Sequence, residues 1–149
     1  MRNRSRLVPA LTLALAAPLL HAASLPSGHV SATVTGLRST EGKVLACLTA
    51  RPQHFPQCEK DPEARSLIVK AGARVNLDFG NVPAGEYAIA IIHDENANGR
   101  LDKRLMMPRE GFGFSQNAPV RFGPPSFGKA AFEVDGKGEH QSIRMRYIL

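Results

Sequence analysis

From Val30 onward the dominant period of the apolar residues is two, and no segment carries a persistent 3.6-residue apolar stripe of an amphipathic helix. A chain with that period must lay one face of each segment against a second layer, so the expected class is all-β. Val30, Ala32 and Val34 alternate with Ser31, Thr33 and Thr35. After the turn-forming RSTEGK comes KVLACLT, a second strand, and SLIVK and RVNLDFG add two more, with Val75, Leu77 and Phe79 sharing a face. In NVPAGEYAIAIIHD both faces are apolar, Tyr87, Ile89 and Ile91 on one and Ala88, Ala90 and Ile92 on the other, which places that strand in the middle of a sheet. AAFEV and SIRMRYIL close the set, the last alternating Ile143, Met145 and Tyr147 against Ser142, Arg144 and Arg146.

About seven short strands separated by turns predict an immunoglobulin-like/transthyretin-like β-sandwich. The exception is the connection from Asp94 to Pro125, about thirty residues rich in Gly, Pro, Asn and charge, far beyond ordinary connection lengths. Phe112, Phe114, Phe122 and Phe127 sit among its glycines and prolines or just past them. A flexible linker would avoid such large apolar groups, so the expectation is one long ordered loop packed over the sandwich, serving as a cover or as a binding surface.

Ahead of the strands stands MRNRSRLVPALTLALAAPLLHAAS. Arg2, Arg4 and Arg6 precede an apolar run from Leu7 to Leu20, and Ala22, Ala23 and Ser24 follow, the layout of a secretory signal peptide. The run is shorter than the ~20 residues a bilayer span needs and is broken by Pro9 and Pro18. Residues 1–23 are therefore expected to be a leader and 24–149 one β-sandwich domain, periplasmic or secreted, with no integral membrane segment after cleavage. Removing the leader's three arginines takes the formal charge from +6 to +3. A small, scattered excess of this kind argues for solubility and against a nucleic-acid groove, which needs clustered Lys and Arg with interleaved aromatics.

Export changes how Cys47 and Cys58 are read. An oxidising compartment permits a disulfide, and the intervening turn-forming RPQHFPQ suits a short closed loop worth about 2–3 kcal/mol in the chain-entropy picture. Two separate buried thiols are the competing arrangement. No Cys-x-x-Cys spacing suggests a redox role.

The segment DENANGRLD, Asp94 to Asp102, follows the first nine positions of a calcium loop. Side-chain oxygens of Asp94, Asn96 and Asn98 would converge on a hard cation, Gly99 would allow the sharp turn, the Arg100 carbonyl would stand at the seventh position and Asp102 at the ninth. Leu105 occupies the twelfth, where a bidentate Glu is expected, and a strand precedes the loop instead of a helix. With two carboxylates, calcium affinity would fall to the weak range of ~10⁻⁴–10⁻³ M. The competing reading is an Asx-rich turn in which the same side chains bond to local backbone. His93, Met106 and Met107 flank this loop and offer imidazole and thioether ligands of the kind copper takes. Spaced His and Cys groups for zinc are absent.

Catalysis is not expected. Ser115 lacks the second glycine of a G-x-S-x-G elbow, and the pair Asp94 and Glu110, although two carboxylates, has no separation readable from sequence.

The words VPAGEYAIAIIHDENANGRLD, MPREGFGFSQNA and GPPSFGKAAFEV together resemble an uncharacterised bacterial family, domain-of-unknown-function family 2141. The family's HDENxNGxLD word falls on His93 to Asp102 and its xPxEGxGFS word on Met107 to Ser115. The resemblance implies a small exported β-sandwich, prealbumin-like or carboxypeptidase-regulatory-like, and implies no activity. The Met106-Met107 pair and the two cysteines depart from the family pattern. The leading expectation is a non-enzymatic envelope domain that binds an unknown ligand or protein through residues 94–125, with calcium ordering that loop. The alternatives are a periplasmic copper-handling protein using His93, Met106 and Met107, and a hydrolase of envelope polymers centred on Asp94 and Glu110.

Overall fold

The computed structural model describes residues 26–104 and 107–149. The leader expected at 1–23 and the copper candidate Met106 lie outside the described residues.

Ten strand segments follow in chain order: β1 (Ser27–Thr35), β2 (Lys43–Thr49), β3 (Arg65–Lys70), β4 (Arg74–Pro83), β5 (Gly85–Asp94), β6 (Lys103–Arg104), β7 (Met107–Pro108), β8 (Gly111–Phe114), β9 (Phe132–Val134) and β10 (Glu139–Arg144). Sheet A has the order β10-β1-β4, and sheet B the order β3-β2-β5-β8, with β9 also pairing with β5. The alternation read from sequence sets the faces. Val30, Ala32 and Val34 of β1, Val75 and Leu77 of β4 and Ile143 of β10 pack against Val44, Ala46 and Leu48 of β2 and Ile89 and Ile91 of β5, all at most 6 % exposed. This is the sandwich core, and the all-β two-sheet class expected from the period is the one found.

Three details carry the chain from one sheet to the other. In β4 the phase slips at a bulge opposite Val30 and Ser31, where Gly80 has φ +75° and donates its N–H to Asp78 Oδ1 at 2.8 Å. The slip turns Val82 inward after Phe79, two core residues that strict alternation would have put on opposite faces. Beyond Pro83 a single residue, Ala84, then passes the chain into β5 of the other sheet.

The last strand is shorter than the alternation suggested. β10 pairs in parallel with β1 and ends at Arg144, then Met145 N–H bonds to Thr35 O and Arg146 bridges to Phe112 of sheet B. The C-terminal segment therefore crosses between the two sheets and joins their edges. Its side chains keep the period of two throughout, Met145 buried and Arg146 exposed, which is why the sequence pattern did not reveal the crossing.

The long connection is also more regular than expected. β8 is a strand of sheet B, with Ala90↔Phe114 and Ile92↔Phe112 as cross-strand pairs. Its alternate residues are glycines for a packing reason: a Cβ on Gly111 would meet the Tyr147 ring at 2.4 Å, and one on Gly113 would meet Ile143 Cγ2 at 2.9 Å. Likewise, AAFEV begins inside a short α-helical turn, α1 (Phe127–Ala130), and only Phe132–Val134 is strand.

The outer face of β5 is buried as well. Ala88 and Ala90 lie under Phe112, Phe114, Ala118 and Ala130, with Phe55, Phe127, Val120 and Cys47 packed alongside. This second cluster is what the two apolar faces of β5 predicted. Cys47 and Cys58 are bonded in a disulfide, Cα atoms 6.2 Å apart, which ties the β2–β3 loop carrying Phe55 to β2.

Candidate functional site

The DENANGRLD residues are brought together by a turn at the end of β5. Asp94 is fully buried; its Oδ1 accepts the Asn98 N–H at 3.0 Å and its Oδ2 the Gly99 N–H at 2.7 Å. Asn96 Oδ1 also accepts from Asn98 N–H, and Asn98 Oδ1 accepts from Arg100 N–H, the short-range bonds that Asn side chains form in turns. The two amide nitrogens then donate to Asp102, Asn98 Nδ2 to Oδ1 at 2.9 Å and Asn96 Nδ2 to Oδ2 at 2.7 Å. Those two amides hold the Asp102 carboxyl below its ordinary range. Arg100 is a side-chain neighbour of Asp102, its Nε 3.8 Å from Oδ1.

Glu110, sixteen positions beyond Asp94, completes the loop. It is 4 % exposed, and its carboxylate accepts the Glu95 N–H at 3.0 Å and the Asp102 N–H at 2.9 Å, so one side chain clamps the two ends of the turn. The missing twelfth-position Glu thus has a counterpart from the bend just before β8, aimed at backbone donors. A cation among these groups would need the Asn96 and Asn98 amides to turn their oxygens inward, giving up the bonds to Asn98 and Arg100 N–H. Among the described residues no three His, Cys, Asp or Glu side chains converge as a metal site.

A second polar layer backs the turn. The Arg38 guanidinium binds both carboxylate oxygens of Glu95, donates to the carbonyls of Arg109 and Leu149, and lies 4.6 Å from the centroid of the Tyr147 ring. Its hydrogen bonds hold the Glu95 carboxyl below its ordinary value. His93 is completely buried beneath this layer. Its Nε2 meets the Glu41 carbonyl at 2.9 Å, which can only accept, so Nε2 carries the proton and Nδ1 accepts from the Tyr147 hydroxyl at 2.7 Å. The Tyr147 oxygen accepts in turn from Arg38 N–H. Both ring nitrogens are thereby engaged inside the fold, and Met107, 42 % exposed, is not among their partners.

The candidates for catalysis serve the same structural ends. Asp94 and Glu110 each accept backbone N–H groups. Ser115 is fully buried; its hydroxyl donates to Ala130 O at 2.5 Å and accepts Ile89 N–H at 2.9 Å, pinning the connection to β5.

Of the four phenylalanines in the connection, three share the second cluster: Phe112 and Phe114 are buried, and Phe55 stands edge-on to both Phe114 and Phe127. Phe122 does not join them. It is fully exposed, at 108 % of the reference area, between Pro119 and the Pro124-Pro125 pair, of which Pro125 is buried.

Sequence reading missed a cleft of about 410 Å³ at the end of the sandwich remote from Asp94. Since β2 and β5 run antiparallel with Lys43 opposite Asp94 and Thr49 opposite Ala88, a cleft floored by Leu48 lies roughly 20 Å from the turn. Val82, Pro83 and Tyr87 form one side and the 61–65 stretch the other. Within that stretch Asp61 is buried. Burial pushes its carboxyl up, but the Thr49 hydroxyl at 2.5 Å and the Glu63 N–H at 3.0 Å outweigh burial and leave it below its ordinary value. Arg51 reaches Asp61 at 3.4 Å and Glu63 at 2.9 Å. The one available sequence signal was the density of charge in DPEAR inside a disulfide-tied, Pro-rich loop.

Residues 32–142 match the family model described as an uncharacterised protein conserved in bacteria, DUF2141, a wider span than the words that carried the resemblance. No curated protein and no solved structure matches the chain. Among the described residues no helix is long and apolar enough to cross a membrane.

Proposed function

We propose that this chain, which belongs to the DUF2141 family of uncharacterised proteins conserved in bacteria, works as an exported, non-enzymatic domain of the cell envelope that docks on a partner through residues 94–125, with Phe122 as the anchor. The observation that carries this reading is the exposure of Phe122 beside three phenylalanines that pack. A phenyl ring in water forgoes about 1.5–3 kcal/mol of burial, which contact with a partner would recover. The flanking prolines restrict the loop, so little ordering would be lost on docking. Arg121 beside the ring is exposed and offers a charged donor at the same spot. The absence of catalysis in this reading is supported by Asp94, Glu110 and Ser115, each engaged in holding backbone.

The test is a photoreactive phenylalanine analogue at position 122 in cells producing the whole chain, with position 142, exposed on sheet A, as the control. A discrete adduct at 122 that is absent at 142 is expected. Adducts at neither position, or equally at both, would remove the reading.

Calcium at the 94–102 turn is a second reading, favoured by one observation: Asp94 and Glu110 are buried carboxylates, and among the described residues neither is ion-paired. Because the amides of Asn96 and Asn98 must turn over, binding would be weak, ~10⁻⁴–10⁻³ M. Calorimetric titration with calcium should then give a saturable heat that Asp94→Ala abolishes; a flat titration leaves the turn self-sufficient.

A further inference from the structure

We infer that the cleft between Leu48, Val82 and Tyr87 is a binding site for a small amphipathic anion, an apolar chain or ring bearing one carboxylate, with Arg65 as its counter-charge. The proposal is independent of Phe122, which belongs to a different loop.

The cavity's volume, about 410 Å³, lies within the range of small-molecule sites. Its floor is the open end of the sandwich core: Leu48 and Val82 are 1 % and 3 % exposed, and their remaining surface faces this opening. Pro83, Ala64 and the Tyr87 ring extend the apolar wall, and the Tyr87 hydroxyl is already used, donating to Pro83 O at 2.9 Å. Such a wall selects an apolar body.

The rim selects the charge. Arg51 is held by Asp61 and Glu63, and Asp61 is satisfied by Thr49 and the Glu63 N–H, so the Arg51 guanidinium is already committed within the fold. Arg65, the first residue of β3, is exposed and lines the cleft; it forms no ion pair among the described residues. Its positive charge opposes the upward push that burial gives the Tyr87 hydroxyl. With Arg65 counted, the two cations of the rim balance its two carboxylates, and Arg65 is the rim cation without an ion-pair partner among the described residues; its guanidinium presents the forked donors that match a carboxylate. The wall is also pre-formed, since the Cys47–Cys58 bond and the Thr49–Asp61 hydrogen bond fix the loop. Little ordering would accompany binding.

The experiment is calorimetric titration of the oxidised protein with decanoate and 2-naphthoate, with decanol and decyltrimethylammonium as the uncharged and cationic counterparts. One-site binding of at least one carboxylate is expected, with decanol weaker by about tenfold and the cation weaker still. Arg65→Ala should lose about tenfold in carboxylate affinity and Arg65→Lys less. Ala64→Trp, which fills the cleft, should abolish binding, with far-ultraviolet circular dichroism checking that each variant is folded. Absence of saturable binding by both carboxylates at millimolar concentration would overturn the proposal. So would equal binding of the cation, or affinity that survives both Arg65→Ala and Ala64→Trp.

Discussion

Residues 94–110 and residues 111–131 belong to one connection, yet the first half is held by hydrogen bonds and the second by aromatic burial. In the first, Asp94 and Glu110 collect backbone N–H groups from the turn, and Arg38 binds Glu95 and the carbonyls of Arg109 and Leu149. In the second, Phe112, Phe114 and Phe127 cover Ala88 and Ala90 on the outer face of β5. A polar turn of this kind can be satisfied completely by its own groups, so it leaves little surface asking for a partner. Aromatic packing leaves a visible remainder when one ring does not fit, and Phe122 is that remainder. The difference directs the search for function to the apolar half, although the sequence motif that first draws the eye lies in the polar half.

The comparison breaks most visibly at Phe114. Phe114→Ala should lower stability by about 3–5 kcal/mol, read from urea unfolding, because the ring is buried between β5 and Phe55. Removing the disulfide by Cys47→Ala with Cys58→Ala should cost about 2–3 kcal/mol, since it frees the loop that supplies Phe55 to the same cluster. In the polar half Glu110→Gln replaces an acceptor oxygen with a donor and leaves one of two N–H groups, Glu95 or Asp102, facing an amide nitrogen. The expected loss is about 1–3 kcal/mol.

Acid separates the halves without mutation. Glu95 and Asp102 both have carboxyls held below their ordinary values, by Arg38 and by the Asn98 and Asn96 amides respectively. Groups with lowered folded-state values contribute stability above the unfolded values of about 4.3 and 3.9, and that contribution is lost as pH falls through the lower folded ones. The melting temperature should therefore be level above about pH 5 and decline below about pH 4, less steeply in Arg38→Ala. A decline that begins well above pH 5 would contradict the assignment to these carboxylates.

Strand positions and inward faces were legible because a period of two is set by the pleat itself, as Val30, Ala32 and Val34 or Val75 and Leu77 show. The period does not say which neighbour a strand takes, so the crossing of Met145 and Arg146 from β1 to Phe112 left no trace in the pattern. β8 was hidden for another reason: its inward positions are Gly111 and Gly113, which Tyr147 and Ile143 require, and glycine erases the strand signal. At the candidate site the convergence of Asp94, Asn96, Asn98 and Asp102 was readable from spacing. The clamping carboxylate of Glu110, and the hold of Arg38 and Tyr147 on Glu95 and His93, were not, because these contacts join residues 8 to 57 positions apart. The cleft was invisible for the same reason: its floor and walls come from β2, the 61–65 stretch and the β4–β5 junction.

Thermal unfolding of Phe122→Ala beside Phe114→Ala tests most directly the claim that three rings of the connection hold the fold and the fourth is presented to a partner. The account predicts a Phe122→Ala midpoint indistinguishable from the parent protein while Phe114→Ala melts far lower. A drop in Phe122→Ala approaching that of Phe114→Ala would contradict it, because Phe122 would then belong to the core and nothing would mark this loop as a docking surface.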